Sequence, residues 1–319
     1  MQIEVAGITK RFGSSVAVDD LSFSVQPGAV TGFVGPNGAG KSTTMRVMLA
    51  LDRADAGQAT FDGHRYRELR DPMRSVGALL DAKAVHPRRS ARNHLRVFAA
   101  TNRIPEARVD EVLGLVGLAD VATRRAGGFS LGMGQRLGLA LALLGDPPVV
   151  ILDEPANGLD PEGILWIRTF MRYLADQGRS VFVSSHLLSE LGQVVDQLIV
   201  IGRGRLLAAG SLHDVLGTGG RDVVTVVSPD ATRLRELIIA AGAEVVVEVA
   251  AEGVAAEGVA TGAPERLEVT GLDAVAVGEL AAAHGIVLHE LTPREPSLED
   301  AFLRLTAETQ EFRAGEVGP

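Results

Sequence analysis

Val30-Thr31-Gly32-Phe33-Val34-Gly35-Pro36-Asn37-Gly38-Ala39-Gly40-Lys41-Ser42-Thr43 is the stretch whose reading decides the fold. Val30 to Val34 reads as a short buried strand, and Ser42 to Leu51 carries helical spacing of apolar residues. Between them stands Gly-x-x-x-x-Gly-Lys-Ser, the spacing of a phosphate-binding loop (P-loop), in the strand-before, helix-after context that such a loop needs. Glycines let successive backbone N–H groups converge on phosphate oxygens. The start of the new helix aims its positive end at the same charge. On this reading Gly35 to Thr43 bind the triphosphate of ATP, Lys41 neutralises the β and γ oxygens, and Ser42 offers a hydroxyl to Mg²⁺. The basic residues are nearly all Arg, with lysines at Lys10, Lys41 and Lys83. A lysine inside the loop is therefore a marked choice, and its compact ammonium suits a phosphate cradle.

Working outward, Gln2 to about Gly32 reads as short alternating strands with turns at Gly13-Ser14-Ser15 and Gln26-Pro27-Gly28. Asp52 to Asp62 reads as a polar loop and turn. From about Pro87 to Gly128 the pattern is helical and charged. Leu131 to Leu144 is a helix stopped by Gly145-Asp146-Pro147-Pro148. A buried strand (Val149 to Leu152), a helix (Pro161 to Asp176), a strand (Ser180 to Ser184) and a helix (Ser189 to Val195) follow. This alternation predicts an α/β fold with a mostly parallel sheet covered on both faces.

After about Leu216 the character shifts. Gly217-Thr218-Gly219-Gly220 reads as a linker. Strands are expected at Asp222 to Val227, Ala243 to Val249, Arg266 to Thr270 and Val287 to Leu291, with helices at Ala231 to Ala241 and Ala274 to His284. The β-α-β-β-α-β order predicts a small α+β, ferredoxin-like domain. Between its middle strands the tandem Ala-Glu-Gly-Val-Ala repeat at 249–260 reads as a flexible hairpin extension. A last helix is expected from Ser297 to Thr306.

Bulk properties narrow the function. The 319 residues are 46% hydrophobic and 22% charged, and no apolar run is long enough to cross a bilayer. The N-terminus lacks the basic start and apolar block of a secretory signal. Cysteine is absent, which excludes disulfides and thiolate metal sites and fits a reducing cytosol. A net charge of −9 argues against nucleic acid as the partner.

A second constellation is Val149-Val150-Ile151-Leu152-Asp153-Glu154, an apolar strand ending in two carboxylates. At the C-terminal end of a parallel strand, Asp153 can hold Mg²⁺ through water while Glu154 polarises an attacking water. Two acids at an exposed strand end are the plain alternative, weakened by the P-loop upstream. Phe129-Ser130-Leu131-Gly132-Met133-Gly134-Gln135-Arg136 precedes this strand by one helix; Asn157-Gly158-Leu159-Asp160 follows it; Ser184-Ser185-His186 comes after the next strand.

With these residues in order, the chain from Ile3 to about Leu216 resembles the nucleotide-binding subunits of ATP-binding cassette (ABC) transporters. The resemblance implies an ABC-type P-loop NTPase fold with an antiparallel β subdomain and a helical subdomain at about 82–135. It implies a domain at 1–216, followed by an accessory or regulatory domain at 221–319. It places Ser130 and Gly132 in the signature loop, Asn157 to Asp160 in the D-loop, and His186 in the switch that contacts the γ-phosphate. Phe12 matches the aromatic that stacks on adenine, its alternative being a core phenylalanine. In such proteins the signature loop of one subunit covers ATP on the P-loop of another, so a second copy of the chain is implied.

The chain departs from the usual pattern at Leu131, in place of a signature glycine, and at Met133, in place of a glutamine. Asp81 stands where the Q-loop glutamine is expected; it is either a metal-proximal sensor or a plain loop carboxylate. These departures, with Glu295 to Thr306 at the end, resemble the daunorubicin- and bacitracin-resistance branch of bacterial ABC exporters. That implies an ATPase exporting a drug, antibiotic or lipid-like substrate, cytoplasmic and held at the inner membrane face by a separate permease. The basic cluster His86-Pro87-Arg88-Arg89-Ser90-Ala91-Arg92-Asn93-His94 is either a docking site for that permease or a solvated helix face. A soluble ABC protein acting on ribosomes or DNA is the alternative, without the second cassette or long coiled coil such proteins carry. An ATP-binding module that does not hydrolyse is a further rival, opposed by Glu154 and His186.

Overall fold

The computed structural model describes residues 1–82, 84–186, 191–212, 214–215, 223–248 and 265–294. These fall into two compact units, one over Met1–Val215 and the other within 216–304. The linker at Gly217 to Gly220, the 249–260 repeat and the segment Glu295 to Thr306 lie outside the described residues, as do Ser189 and Glu190 of the expected helix.

The first unit opens with two long strands, β1 (Ile3–Phe12) and β2 (Ser15–Val25), paired antiparallel. β3 (Val30–Val34) is buried at every residue and leads through the P-loop to α1 (Lys41–Met48). β4 (Ala56–Phe61) then pairs with β1, completing a three-stranded sheet of order β2-β1-β4. The polar loop expected at Asp52 to Asp62 is thus partly a strand. Its small residues gave no alternating pattern, and Ile3↔Phe61 and Val5↔Ala59 pairing supplies the order that local propensity lacks.

The short α2 (Pro72–Ser75) precedes β5 (Val76–Leu79). Three helices follow: α3 (Ala91–Thr101), α4 (Ala107–Leu115) and α5 (Leu131–Leu143). Arg92–Asp110 and Arg96–Glu106 ion pairs tie α3 to the start of α4. β6 (Val149–Leu152), α6 (Pro161–Asp176), β7 (Ser180–Ser185), β8 (Gln197–Gly202) and β9 (Arg205–Ser211) finish the unit. The six-stranded sheet runs β5-β6-β7-β3-β8-β9, parallel except for the β8–β9 hairpin. β5, β8 and β9 carried no strand expectation. Rings of Phe23, Phe33 and Phe182, 5.1–5.6 Å apart, join the antiparallel sheet to the parallel one in a single core.

In the second unit β10 (Val223–Ser228), α7 (Ala231–Ala240), β11 (Glu244–Glu248), β12 (Glu265–Thr270), α8 (Ala274–Ala283) and β13 (Glu290–Arg294) form a four-stranded antiparallel sheet of order β11-β12-β10-β13. That is the split β-α-β arrangement expected of a ferredoxin-like fold. The last strand lies three residues later than the apolar run Val287 to Leu291 suggested. Val287 O instead accepts the Ser228 hydroxyl, and the ladder begins at Val227↔Glu290.

Candidate nucleotide site

The P-loop is a rigid turn. Gly40 caps α1 at φ 101°, and a Cβ there would stand 2.5 Å from Ala17 O. A Cβ on Gly35 would stand 2.6 Å from Ile201 O. Any other residue at either place would push the loop off its neighbours, so the glycines are required by close approach. Thr44 fastens the first turn of α1, its N–H and hydroxyl both donating to Gly40 O at 2.9 Å.

Lys41 is 6% exposed. Its Nζ donates to Gly35 O at 2.7 Å and Pro36 O at 3.3 Å, and lies 3.5 Å from Glu154 Oε1. Burial lowers its pKa below the ordinary lysine value, opposed by the Glu154 and Asp153 carboxylates. The ammonium therefore sits among oxygens yet largely out of water, poised to gain from an added anion.

Asp153 and Glu154 follow the wholly buried β6. The Ser184 hydroxyl on β7 donates to Asp153 Oδ1 and accepts from the Glu154 N–H at 2.9 Å. Glu154 holds φ at 48°, in the left-handed region that residues with a Cβ rarely adopt. Its Oε2 lies 2.7 Å from His186 Nδ1. Glu154 thus stands between Lys41 and His186. A cleft of about 400 Å³ is lined by Ala17, Asn37 to Thr43, Glu154, Asn157 and His186, so the structure brings the P-loop, Glu154 and His186 together.

Ser130, Gly132 and Asp160 lie elsewhere. Ser130 caps α5, accepting from Met133 N–H at 3.3 Å, and Asp160 caps α6, accepting from Gly163 N–H at 2.9 Å. With Leu159, Gly163 and Trp166 they line a separate groove of about 360 Å³, where the Arg136 guanidinium stacks 4.1 Å from the Trp166 ring. Asp81, two residues beyond β5, is exposed and lines a third, mostly apolar groove. Phe12 ends β1 with 52% of its surface exposed and Lys10 Nζ 5.0 Å from its ring centre; it is not a buried core residue. Sequence reasoning did not single out Ser184. Its signal was a serine two positions before His186 on a strand beside the carboxylates.

The loop geometry fits a nucleotide phosphate group: a cradle that Cβ atoms would fill, with a lysine ammonium at its base. The donors near it also fit Mg²⁺, which takes one or two protein oxygens and completes its shell with phosphates and water. Among the described residues no group of three or more His, Cys, Asp or Glu forms a self-sufficient metal site.

The ABC transporter family matches residues 18–157, and a domain of unknown function matches residues 222–299. An uncharacterized ABC transporter ATP-binding protein of Bacillus subtilis, YhcH, is 35% identical over 316 residues, 97% of each chain. The bacitracin transport ATP-binding protein BcrA of Bacillus licheniformis is 40% identical over 208 residues, 64% of this chain and 68% of that one. The daunorubicin resistance ATP-binding protein DrrA3 of Streptomyces coeruleorubidus is 32% identical over 325 residues, 98% of each. A solved ATP-binding subunit of an ABC transporter superposes with a TM-score of 0.62 at 26% identity, covering 68% of this chain and 93% of that one. These likenesses favour transport over the soluble alternative. With its P-loop, Glu154 and His186 in one cleft, the chain belongs to the ABC transporter ATP-binding proteins and is an ATPase.

Proposed function

We propose that this chain energises export of a drug, antibiotic or lipid-like compound by a separate membrane permease, working as a homodimer on the cytoplasmic face. The observation that carries the catalytic reading is the convergence of Lys41, Ser42, Glu154 and His186 on one cleft. Gly35 to Thr43 bind the phosphates. Lys41 balances their charge, and Ser42 and Asp153 hold Mg²⁺, which when bound supplies charge neutralisation on the β and γ oxygens. Glu154 accepts the proton of the attacking water, and His186 fixes its carboxylate and reaches the γ-phosphate. Phe12, an exposed aromatic, stacks on adenine. Asp81, two residues beyond β5, serves as a metal-proximal sensor in place of the Q-loop glutamine.

Ser130, Gly132 and Asp160 line a different groove from the P-loop within one chain. This supports a shared site, in which the capped start of α5 of one copy closes over nucleotide held by the other. The permease docks at the basic cluster His86 to His94, which follows Asp81 and leads into α3. Residues 1–216 are the catalytic domain and 221–319 the accessory one. Bacitracin transport and daunorubicin resistance in the relatives named above support the substrate class.

The test is Glu154→Gln in the purified chain, alone and with its permease. ATP binding is expected to persist while turnover falls about 10²–10⁴-fold, the range for losing a general base, and an ATP-bound dimer accumulates in size-exclusion chromatography. Wild-type turnover in this variant would overturn the assignment.

A further inference from the structure

We propose that Ser184 is a positioning residue that sets both site carboxylates at once, a role resting on the assignment of Glu154 and Asp153 above. The strand order places β7 between the P-loop strand β3 and the carboxylate strand β6. Val34 pairs with Ser185 on one side, and Leu152 pairs with Val183 on the other. The C-terminal end of β7 therefore fills the gap between phosphate cradle and carboxylates. A hydroxyl at Ser184 reaches both residues beyond the end of β6.

That hydroxyl both donates and accepts. Its hydrogen goes to Asp153 Oδ1, and its oxygen takes the Glu154 N–H at 2.9 Å. Ser184 is completely buried, so no water replaces either bond when the side chain is cut back. Donation to one oxygen of Asp153 orients the carboxylate and leaves Oδ2 as the freer oxygen for a metal-bound water. Acceptance from Glu154 steadies the backbone at φ 48°, a conformation that surrounding bonds must hold. The turn at Glu154 in turn aims its side chain between Lys41, 3.5 Å away, and His186, 2.7 Å away. Ser184 touches no substrate atom; it acts through the two carboxylates.

A control lies on the same strand. Ser180 is also completely buried, and its hydroxyl donates to Met1 O at 2.6 Å, at the end of β7 remote from the carboxylates. Ser180→Ala and Ser184→Ala each remove one buried hydroxyl from β7, so both report the structural cost of that loss. Only Ser184→Ala frees Asp153 and Glu154.

The experiment measures kcat, KM for ATP, the Mg²⁺ concentration for half-maximal activity and melting temperature for both variants. Binding of a fluorescent ATP analogue in EDTA is measured alongside. Ser184→Ala is expected to lower kcat roughly 10- to 100-fold, the scale of a misplacement near 1 Å. It should raise the Mg²⁺ requirement and leave metal-free nucleotide affinity within about threefold. Ser180→Ala is expected to keep kcat and the Mg²⁺ requirement within about twofold. If Ser184→Ala does not fold, Ser184→Cys carries the test: the thiol fills the space but is a weak donor and acceptor, and kcat should again fall at least about tenfold. Equal kcat in the Ser184 and Ser180 variants overturns the proposal, as does a Ser184 loss matched by lost metal-free affinity. Running Glu154→Gln in parallel separates the two readings. An inactive Glu154→Gln beside a fully active Ser184 variant sinks only the positioning role, whereas an active Glu154→Gln sinks the carboxylate assignment beneath it.

Discussion

Replacing Lys41 by Met separates nucleotide binding from fold stability more cleanly than any other change at this site. Met keeps most of the side-chain volume and removes only the ammonium. The structure gives that ammonium two hydrogen bonds, to Gly35 O at 2.7 Å and Pro36 O at 3.3 Å, and one carboxylate at 3.5 Å. It also withdraws the charge from water, and burial is the leading reason that the lysine pKa is lowered. The sign follows from linkage. A folded-state value below the unfolded one means the unfolded chain binds the proton more tightly, so the charged lysine opposes folding at neutral pH. That penalty fades only as pH rises through the lowered folded value toward the ordinary value near 10.4. Removing the charge relieves the penalty while forfeiting the carbonyl bonds. The two effects oppose, and the expected net change is within about 1 kcal/mol, a melting shift of roughly 2–4 °C. No such compensation exists for ligand. A charge-assisted hydrogen bond contributes about 1.5–3 kcal/mol, so Kd for ATP should weaken roughly 10- to 150-fold. Titration with a fluorescent ATP analogue, paired with thermal melting, reads both quantities. Unchanged affinity would refute the phosphate role of Lys41. A melting collapse of about 10 °C or more would show instead that Lys41 is a structural pillar and that lost binding is secondary.

Three further expectations rest on separate parts of the catalytic unit. Asp196 accepts from Val30 N–H at 2.8 Å, at the start of the P-loop strand, and pairs with Arg172; the Arg172 bond is the first cause that lowers its pKa. Its stabilisation is thus complete above the ordinary carboxylate value near 4 and lost as pH falls through the lower folded value. Asp196→Asn should cost about 1 kcal/mol after allowance for solvent screening and flatten urea stability between about pH 2 and 5. Full retention of the acid-limb slope in Asp196→Asn would contradict this. His94 is 2% exposed, packs edge-on against Phe98, and among the described residues has no hydrogen-bond partner on either ring nitrogen; burial, then Arg89 and His86, lower its pKa. Stability from the neutral ring is present above the unfolded value near 6.5 and declines below it, so His94→Leu should remove part of the urea-midpoint slope between about pH 5 and 7. A Cβ on Gly77 would fall 1.9 Å from Ala142 O, where α5 crosses β5. Gly77→Ala should lose about 3 kcal/mol or more through overpacking, seen as a melting drop of at least about 6 °C, and near-normal melting would show that α5 can move aside.

How far the fold was legible depends on whether each element declares itself locally. β3 and β6 are short, wholly apolar and bounded by turn residues, so they could be read directly. α5 and α6 carry their own start signals, a serine and an aspartate whose side chains accept the backbone N–H three residues on. β4 announces nothing. Its Ala-Gly-Gln-Ala-Thr-Phe becomes a strand only because β1 offers an edge, and Gly57 with φ 74° passes within a Cβ's reach of Gly7. β13 was misplaced for a related reason. The apolar residues at Val287 and Leu288 look like strand, yet the ladder uses Glu290–Arg294 at a sheet edge, where Pro293 needs no partner for the N–H it lacks.

The site divides along the same line, and the division explains what motif reading can reach. The P-loop, the carboxylate pair and the histidine each occupy one continuous segment, so spacing along the chain identifies them. Their mutual geometry belongs to the sheet order, β6-β7-β3, which no single segment encodes. Once that order is known, the end of β7 has to lie between cradle and carboxylates, and the residues there become candidates before any side chain is inspected. Ser184 and His186 are two apart on the same strand end, and both reach Glu154, one at its backbone N–H and the other at its carboxylate. The pair thus grips Glu154 at both ends. A general base held only at its carboxylate could still swing with its backbone; held also at its N–H, it keeps one position relative to Lys41. If Glu154 is the general base proposed above, its precision comes from the end of β7 that separates it from the phosphate loop, and a perturbation at that end, at Ser184, should reach catalysis while one at the remote Ser180 does not.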